Sequence, residues 1–171
     1  QENQALLKEL SGDRPTVPLS PYGVQGRESL WQARNISETD IAFLQYTSGS
    51  TSTPKGVMVR HSHLFANSLA MAQDWQITAN DSIVSWLPLY HDMGLIWGLI
   101  QPLFSGLTLT LMSPQRFSER PRRWLEAIAR CPGTVVSGGP DFAYRLCVER
   151  IRPSSIAGLD LSGWRLALKG A

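Results

Sequence analysis

From Ser82 onward, short apolar runs alternate with stretches whose apolar residues recur at helical spacing, and this alternation restricts the possible folds more than any other feature of the chain. Ser82-Ile83-Val84-Ser85-Trp86-Leu87, Leu107 to Met112, Thr134-Val135-Val136-Ser137 and Trp164 to Lys169 read as strands. Between them, Gly94 to Phe104 reads as a buried helix, and Arg122 to Arg130 puts Leu125, Ile128 and Ala129 on one side. Phe142, Leu146 and Cys147 mark a further helix entered through Pro140. Strands separated by helices of about ten to fifteen residues form parallel βαβ units joined by right-handed crossovers. The expected fold class is α/β, a mostly parallel sheet with flanking helices.

Upstream, Ile41-Ala42-Phe43-Leu44-Gln45-Tyr46 predicts a buried strand running into a polar loop, with Gly56 to Val59 as the returning strand. Leu64, Ser68, Met71, Ala72 and Trp75 then fall on one face of a core-facing helix between His61 and Gln76. Residues 1–35, with Pro15, Pro18 and Pro21, read as a helical stub and loop, and 36–171 as a partial α/β subdomain. Open parallel sheets bind ligands at the carboxyl ends of their strands. The loop after Tyr46, the Pro88 to Gly94 loop and the Gly138-Gly139-Pro140 turn each follow an expected strand, so one cleft is expected to gather all three.

Composition narrows the partners. Sixteen basic and fourteen acidic side chains leave a formal charge of +2, far short of the dense positive field that nucleic-acid binding through phosphates requires. Cys131 and Cys147 have no metal-ligand spacing, and a chain of this size needs no disulfide, which fits a reducing cytoplasm. Met93 to Gln115 lacks charge and is long enough to cross a bilayer, but Pro102, Gly106 and the period-two run Leu107 to Leu111 argue against a transmembrane helix.

The strongest chemical signal is Tyr46-Thr47-Ser48-Gly49-Ser50-Thr51-Ser52-Thr53-Pro54-Lys55-Gly56. It packs six serine and threonine hydroxyls, two glycines and one lysine into one turn. Backbone amides freed by glycine, with hydroxyl donors and an ammonium, make a concave anion site suited to a polyphosphate. The order of Lys55 and Gly56 excludes a Walker A loop, and no Gly-x-Ser-x-Gly nucleophile elbow occurs. Composition alone also fits a flexible linker.

Tyr46 to Gly56 resembles the phosphate-binding signature of the adenylate-forming superfamily of acyl-CoA synthetases, amino-acid adenylation domains, luciferases and fatty acyl-AMP ligases. Ser52 stands where that signature commonly has glycine. Trp86 to Leu95 resembles the superfamily's second core motif. Its His91-Asp92-Met93-Gly94 version, together with Gly139 to Cys147, is most similar to the fatty acyl-AMP ligase branch. Lys169-Gly170-Ala171 resembles the start of a third core motif.

This resemblance implies an ATP-dependent acyl-adenylating ligase that converts a fatty acid to acyl-AMP and hands the acyl group to an acyl carrier protein or to a polyketide or peptide synthase module. An acyl-CoA synthetase, an amino-acid adenylation domain and a non-catalytic substructure are the alternatives. It further implies that Thr47, Ser48, Gly49, Ser50, Thr51, Lys55 and Gly56 hold the ATP phosphates. His91 would orient the substrate or adenylate, and Met93, Gly94, Gly138, Gly139 and Pro140 would border the acyl group. Mg2+ is implied as well, with its acidic ligand expected beyond Ala171, and the chain is expected to be a fragment inactive alone. Asp92 has an equal claim as a helix cap. His61 and His63 lack a third ligand and suit a helix start. Arg116, Arg120, Arg122 and Arg123 suit a solvated face, with a carrier-docking face as the other reading.

Overall fold

The computed structural model describes residues 32, 35–47 and 55–170, and Glu38 onward forms one compact unit. The expected helical stub, residues 48–54 of the hydroxyl-rich loop, and Ala171 lie outside the described residues. Strands β1 (Ile41–Thr47) and β2 (Lys55–Arg60) form an antiparallel hairpin, followed by helix α1 (His61–Asp74). A four-stranded sheet is built from β3 (Asp81–Ser85), β4 (Thr108–Leu111), β5 (Thr134–Pro140) and β6 (Trp164–Gly170), in the order β4-β3-β5-β6 with every pair parallel. Helices α2 (Met93–Ile100) and α3 (Gln101–Ser105) link β3 to β4. Helices α4 (Pro114–Glu119) and α5 (Arg122–Arg130) link β4 to β5, and α6 (Asp141–Arg150) and α7 (Pro153–Ile156) link β5 to β6.

Strand residues alternate between faces, so neighbours on β3 report opposite helix layers. Ser85 faces Gly98 of α2, whose added Cβ would lie 2.6 Å from the Ser85 hydroxyl. Val84 and its register partner Ser137 belong to the other face, where Trp124 of α5 donates through Nε1 to Ser137 Oγ at 2.8 Å. That hydroxyl donates onward to the Val84 carbonyl at 2.6 Å, so both the Trp124 indole and the Ser137 hydroxyl are satisfied inside this core layer. The layer is aromatic. Trp86 stacks on Phe117 with centroids 4.0 Å apart, and Trp124 meets Phe117, Tyr144 and Trp164 edge-on at 5.7, 5.4 and 5.4 Å. Such pairs contribute about 0.5–1.5 kcal/mol each beyond the area they bury.

At the amino end of the sheet Asp81 locks three strands together. Its Oδ1 accepts from Thr134 Oγ1 at 2.6 Å and Arg165 Nε at 3.0 Å, and its Oδ2 from Thr78 N at 2.8 Å and Arg165 Nη2 at 2.9 Å. Arg165 Nη1 reaches the Trp75 carbonyl just after α1 at 3.0 Å. Burial is the largest influence on the Asp81 carboxyl and pushes its pKa up, but the hydrogen bonds from Arg165, Thr134 and Thr78 and the Arg165 charge outweigh it. The pKa is held below its ordinary value.

Three expectations need correction. The strand from Ile41 forms but is not buried: Leu44 and Tyr46 are 52% and 68% exposed, because among the described residues the hairpin strands pair with each other and not with the parallel sheet. Gly138-Gly139-Pro140 is no turn. It continues β5, pairing with Leu168, Lys169 and Gly170. The helix from Gly94 is only half buried, with Leu103 72% exposed. It is also not α-helical throughout, since α2 is π-wound and the Gln101 amide bonds back to the Ile96 carbonyl. This one-residue slip in the ladder precedes Pro102, which has no amide to donate and sits in the first turn of α3. Among the described residues no helix is long and apolar enough to cross a membrane.

Candidate functional site

The sheet order puts a topological switch point between β3 and β5, since the chain leaves β3 toward β4 on one side and crosses back to β5 on the other. At the carboxyl end of β3 the segment from Leu87 to Asp92 turns sharply. The His91 amide donates to the Pro88 carbonyl at 3.1 Å, and Leu95 N donates to the His91 carbonyl at 2.9 Å. Gly94 closes over the same Pro88 carbonyl so tightly that a Cβ would lie 2.1 Å from the oxygen. Glycine is required there by this close approach.

The turn presents His91 and Asp92 to solvent, with side chains 64% and 61% exposed. Asp92 Oδ1 accepts the Met93 amide at 2.6 Å, which is the capping role its position suggested. The same oxygen lies 2.6 Å from His91 Nδ1, a contact that fixes the ring by one nitrogen and leaves Nε2 without a partner among the described residues. Tyr90, one residue earlier, is 94% exposed.

The hairpin faces this turn. Phe43 to Thr47 of β1 and the segment from Leu89 to Asp92, with Leu95, line a cleft of about 750 Å³. Thr47 is the last residue of β1 and pairs in register with Lys55, the first of β2, while Tyr46 pairs with Gly56. The two roots of the hydroxyl-rich loop are therefore side by side, and Lys55 is exposed with no described carboxylate bonded to it. Ser48, Gly49, Ser50 and Thr51 lie outside the described residues.

Of the remaining expected site residues, Met93 reaches across to the end of β6, where a Cβ on Gly170 would lie 3.0 Å from its sulfur. Gly170 pairs with Pro140, so Met93 and Pro140 meet the same strand end. Gly138 and Gly139 are buried. A Cβ on Gly138 would lie 2.1 Å from the Leu168 carbonyl, and one on Gly139 2.7 Å from the Trp86 ring. Their absent side chains serve close packing of β5 against β6 and Trp86. Trp86 Nε1 is buried there without a hydrogen-bond partner.

Sequence reading missed Tyr90, Phe43, Gln45 and Leu95 as cleft residues, although Tyr90 and Leu95 sit inside the segment already singled out. His61 and His63 open α1 as expected, with His63 Nδ1 accepting the Arg60 amide at 3.3 Å. No group of three or more His, Cys, Asp or Glu suited to a metal occurs among the described residues. Burial pushes the Cys147 thiol up to about 11, so it stays protonated and unreactive at neutral pH.

A family model described as AMP-binding enzyme matches residues 3–171. The chain is 48% identical over 141 residues to the medium-chain fatty acid acyl-carrier-protein ligase JamA of Moorena producens, covering 82% of this chain and 24% of that protein. It is 41% identical over 163 residues to the corresponding ligase TtuA of Teredinibacter turnerae, covering 91% and 25%. The crystal structure of the fatty acyl-adenylate ligase from L. pneumophila in complex with acyl adenylate and pyrophosphate superposes with a TM-score of 0.77 at 47% identity, covering 85% of this chain and 25% of that one. The chain thus spans about a quarter of the length of these relatives. With the family model matched along nearly its whole length, the parallel sheet in place and the hairpin loop rooted beside the His91 turn, the chain belongs to the AMP-binding enzyme family.

Proposed function

We propose that this chain carries the phosphate loop and the acyl-facing turn of a fatty acyl-AMP ligase, which activates a fatty acid with ATP and passes the acyl group to an acyl carrier protein. Residues 36–171 form its partial α/β subdomain. The observation that carries the reading is the shared cleft, whose walls include both Thr47 at the root of the hydroxyl-rich loop and His91 beyond β3.

In the first step a carboxylate oxygen attacks the α-phosphorus of ATP. A carbon-bound oxygen gains a bond to phosphorus, and the bond from phosphorus to the bridging oxygen breaks to release pyrophosphate. Two anions must be held together while charge builds at phosphorus, which calls for fixed donors and cations. The loop from Thr47 to Gly56 supplies hydroxyls and amides for the β- and γ-phosphates, with the Lys55 ammonium as the cation. His91, held by Asp92 at Nδ1, directs Nε2 toward the carboxylate or the adenylate formed from it. Met93, Gly94, Gly138, Gly139 and Pro140 border the acyl chain. In the second step a carrier thiol displaces AMP from the acyl carbon. Magnesium would supply further charge neutralisation, and no described residue is assigned to hold it. The names of JamA and TtuA, both medium-chain fatty acid ligases acting on acyl carrier protein, support the substrate and acceptor classes.

Calorimetric titration with Mg·ATP and with pyrophosphate tests the reading. Binding by the wild-type chain that weakens about tenfold or more in Lys55→Ala is expected, the scale of losing one charge-assisted contact. Equal binding by both would remove Lys55 and its loop from the phosphate site.

A further inference from the structure

A second concavity, sharing no lining residue with the first, collects positive charge from distant parts of the chain. It holds about 480 Å³ and is lined by Glu119, Arg120, Arg122, Arg150, Ile151 and Arg152 among others. The sequence shows a run of arginines near 120. Only the fold adds Arg150 from the end of α6 and Arg152 from the start of α7.

The acidic side chains nearby leave most of this charge unmatched. Glu119 is engaged by Arg123 Nη1 at 2.9 Å, and Arg122 lies 3.0 Å from Glu126. Arg150 Nη1 donates to the neutral Ser118 carbonyl at 3.2 Å. Arg120 and Arg152 are exposed, and neither side chain has a hydrogen bond or ion pair among the described residues. Three guanidiniums without carboxylates thus face one hollow in a chain whose formal charge is only +2. Gathering like charges costs energy, and among the described residues no hydrogen bond or ion pair of Arg120 or Arg152 offsets it. Guanidinium forks match carboxylates in shape as well as charge, and Ile151 supplies an apolar contact between them. Three cations without carboxylate partners fall well short of the extended phosphate track that nucleic acid requires.

We propose that this cleft docks the acidic face of a protein partner and, resting on the ligase reading above, that the partner is the acyl carrier protein. Complementary charge at such a face steers encounter and fixes orientation, which is what a thiol on a mobile carrier needs to reach one cleft repeatedly.

The test is titration of this chain with an acidic acyl carrier protein in its apo form, followed by NMR at low and high salt. Without the pantetheine thiol no acyl chemistry is possible, so the result stands apart from the ATP titration at Lys55: failure there removes the loop from the phosphate site, and failure here sinks the docking face. Arg120→Glu/Arg152→Glu is expected to weaken binding about tenfold or more, and Arg120→Ala/Arg152→Ala by less. Arg130→Gln, outside the cleft, should bind as wild type does, and salt should weaken the wild-type complex. Far-UV circular dichroism establishes that each variant is folded. Unchanged affinity in both double variants, no binding by folded wild-type chain, or inorganic phosphate saturating the cleft while the carrier stays unbound would each overturn the proposal.

Discussion

At the amino end of the sheet, Asp81 has no exposed side-chain surface and both of its oxygens are bonded, to groups from β5, β6 and the segment before β3. At the carboxyl end, Tyr90 is 94% exposed, the His91 side chain is 64% exposed, and Trp86 Nε1 is buried without a partner among the described residues. The same strands thus end in a closed polar network on one side and in open, incompletely satisfied groups on the other. Buried polar groups are ordinarily paired, so the closed network suits a structural role, while the open end is where the proposed ligand site lies.

The contrast is broken most severely at the amino end. Arg165→Ala strips the two-pronged partner from a buried carboxylate and is expected to destabilise the chain by about 3 kcal/mol, measured by urea denaturation. Lys55→Ala at the open end should change stability by no more than about 0.5 kcal/mol. The acid dependence sharpens the same point. The folded pKa of Asp81 lies below the ordinary 3.8, so its stabilisation is fully present above that value and is lost as pH falls through the lower folded value. Wild type and Arg165→Ala should therefore differ most near neutral pH and converge as pH falls from 3.8 through the lower folded value in denaturation series across pH.

A smaller effect is expected from Gly94→Ala, whose Cβ would press on the Pro88 carbonyl at 2.1 Å. Relieving that contact means opening the turn, at a cost of about 1–3 kcal/mol. The variant should also lose affinity for a fatty acyl-AMP analogue, because His91 hangs on the same carbonyl. If analogue affinity held while stability fell, the turn would be a packing feature alone.

The fold was largely legible because the signals that define it are local and periodic. The runs at 82–87 and 134–137 and the helical stripe at 122–130 each declare their period within ten residues. What escaped depends on partners distant in sequence. Asp81 and Arg165 are 84 residues apart and meet only through strand pairing. Gly138-Gly139-Pro140 has a turn-like composition and becomes strand because Leu168 and Trp86 leave room for no side chain. The exposure of Ile41 to Thr47 could not be read from an apolar run, since hydrophobicity does not say which sheet a strand joins. The cleft was half legible: its two motifs stand in the sequence, while Phe43 and Gln45 enter it only because the hairpin faces the turn.

The central claim, that ligand binds at the carboxyl end of the sheet while the amino end serves structure, is tested most directly by amide chemical-shift mapping on addition of Mg·ATP and a medium-chain fatty acid. The account predicts shifts at Thr47, Lys55, Gly56 and from Leu89 to Leu95, with Thr78, Asp81, Thr134 and Arg165 unmoved. Shifts centred on Asp81 and Arg165, or none near Thr47 and His91 at saturating ligand, would contradict it.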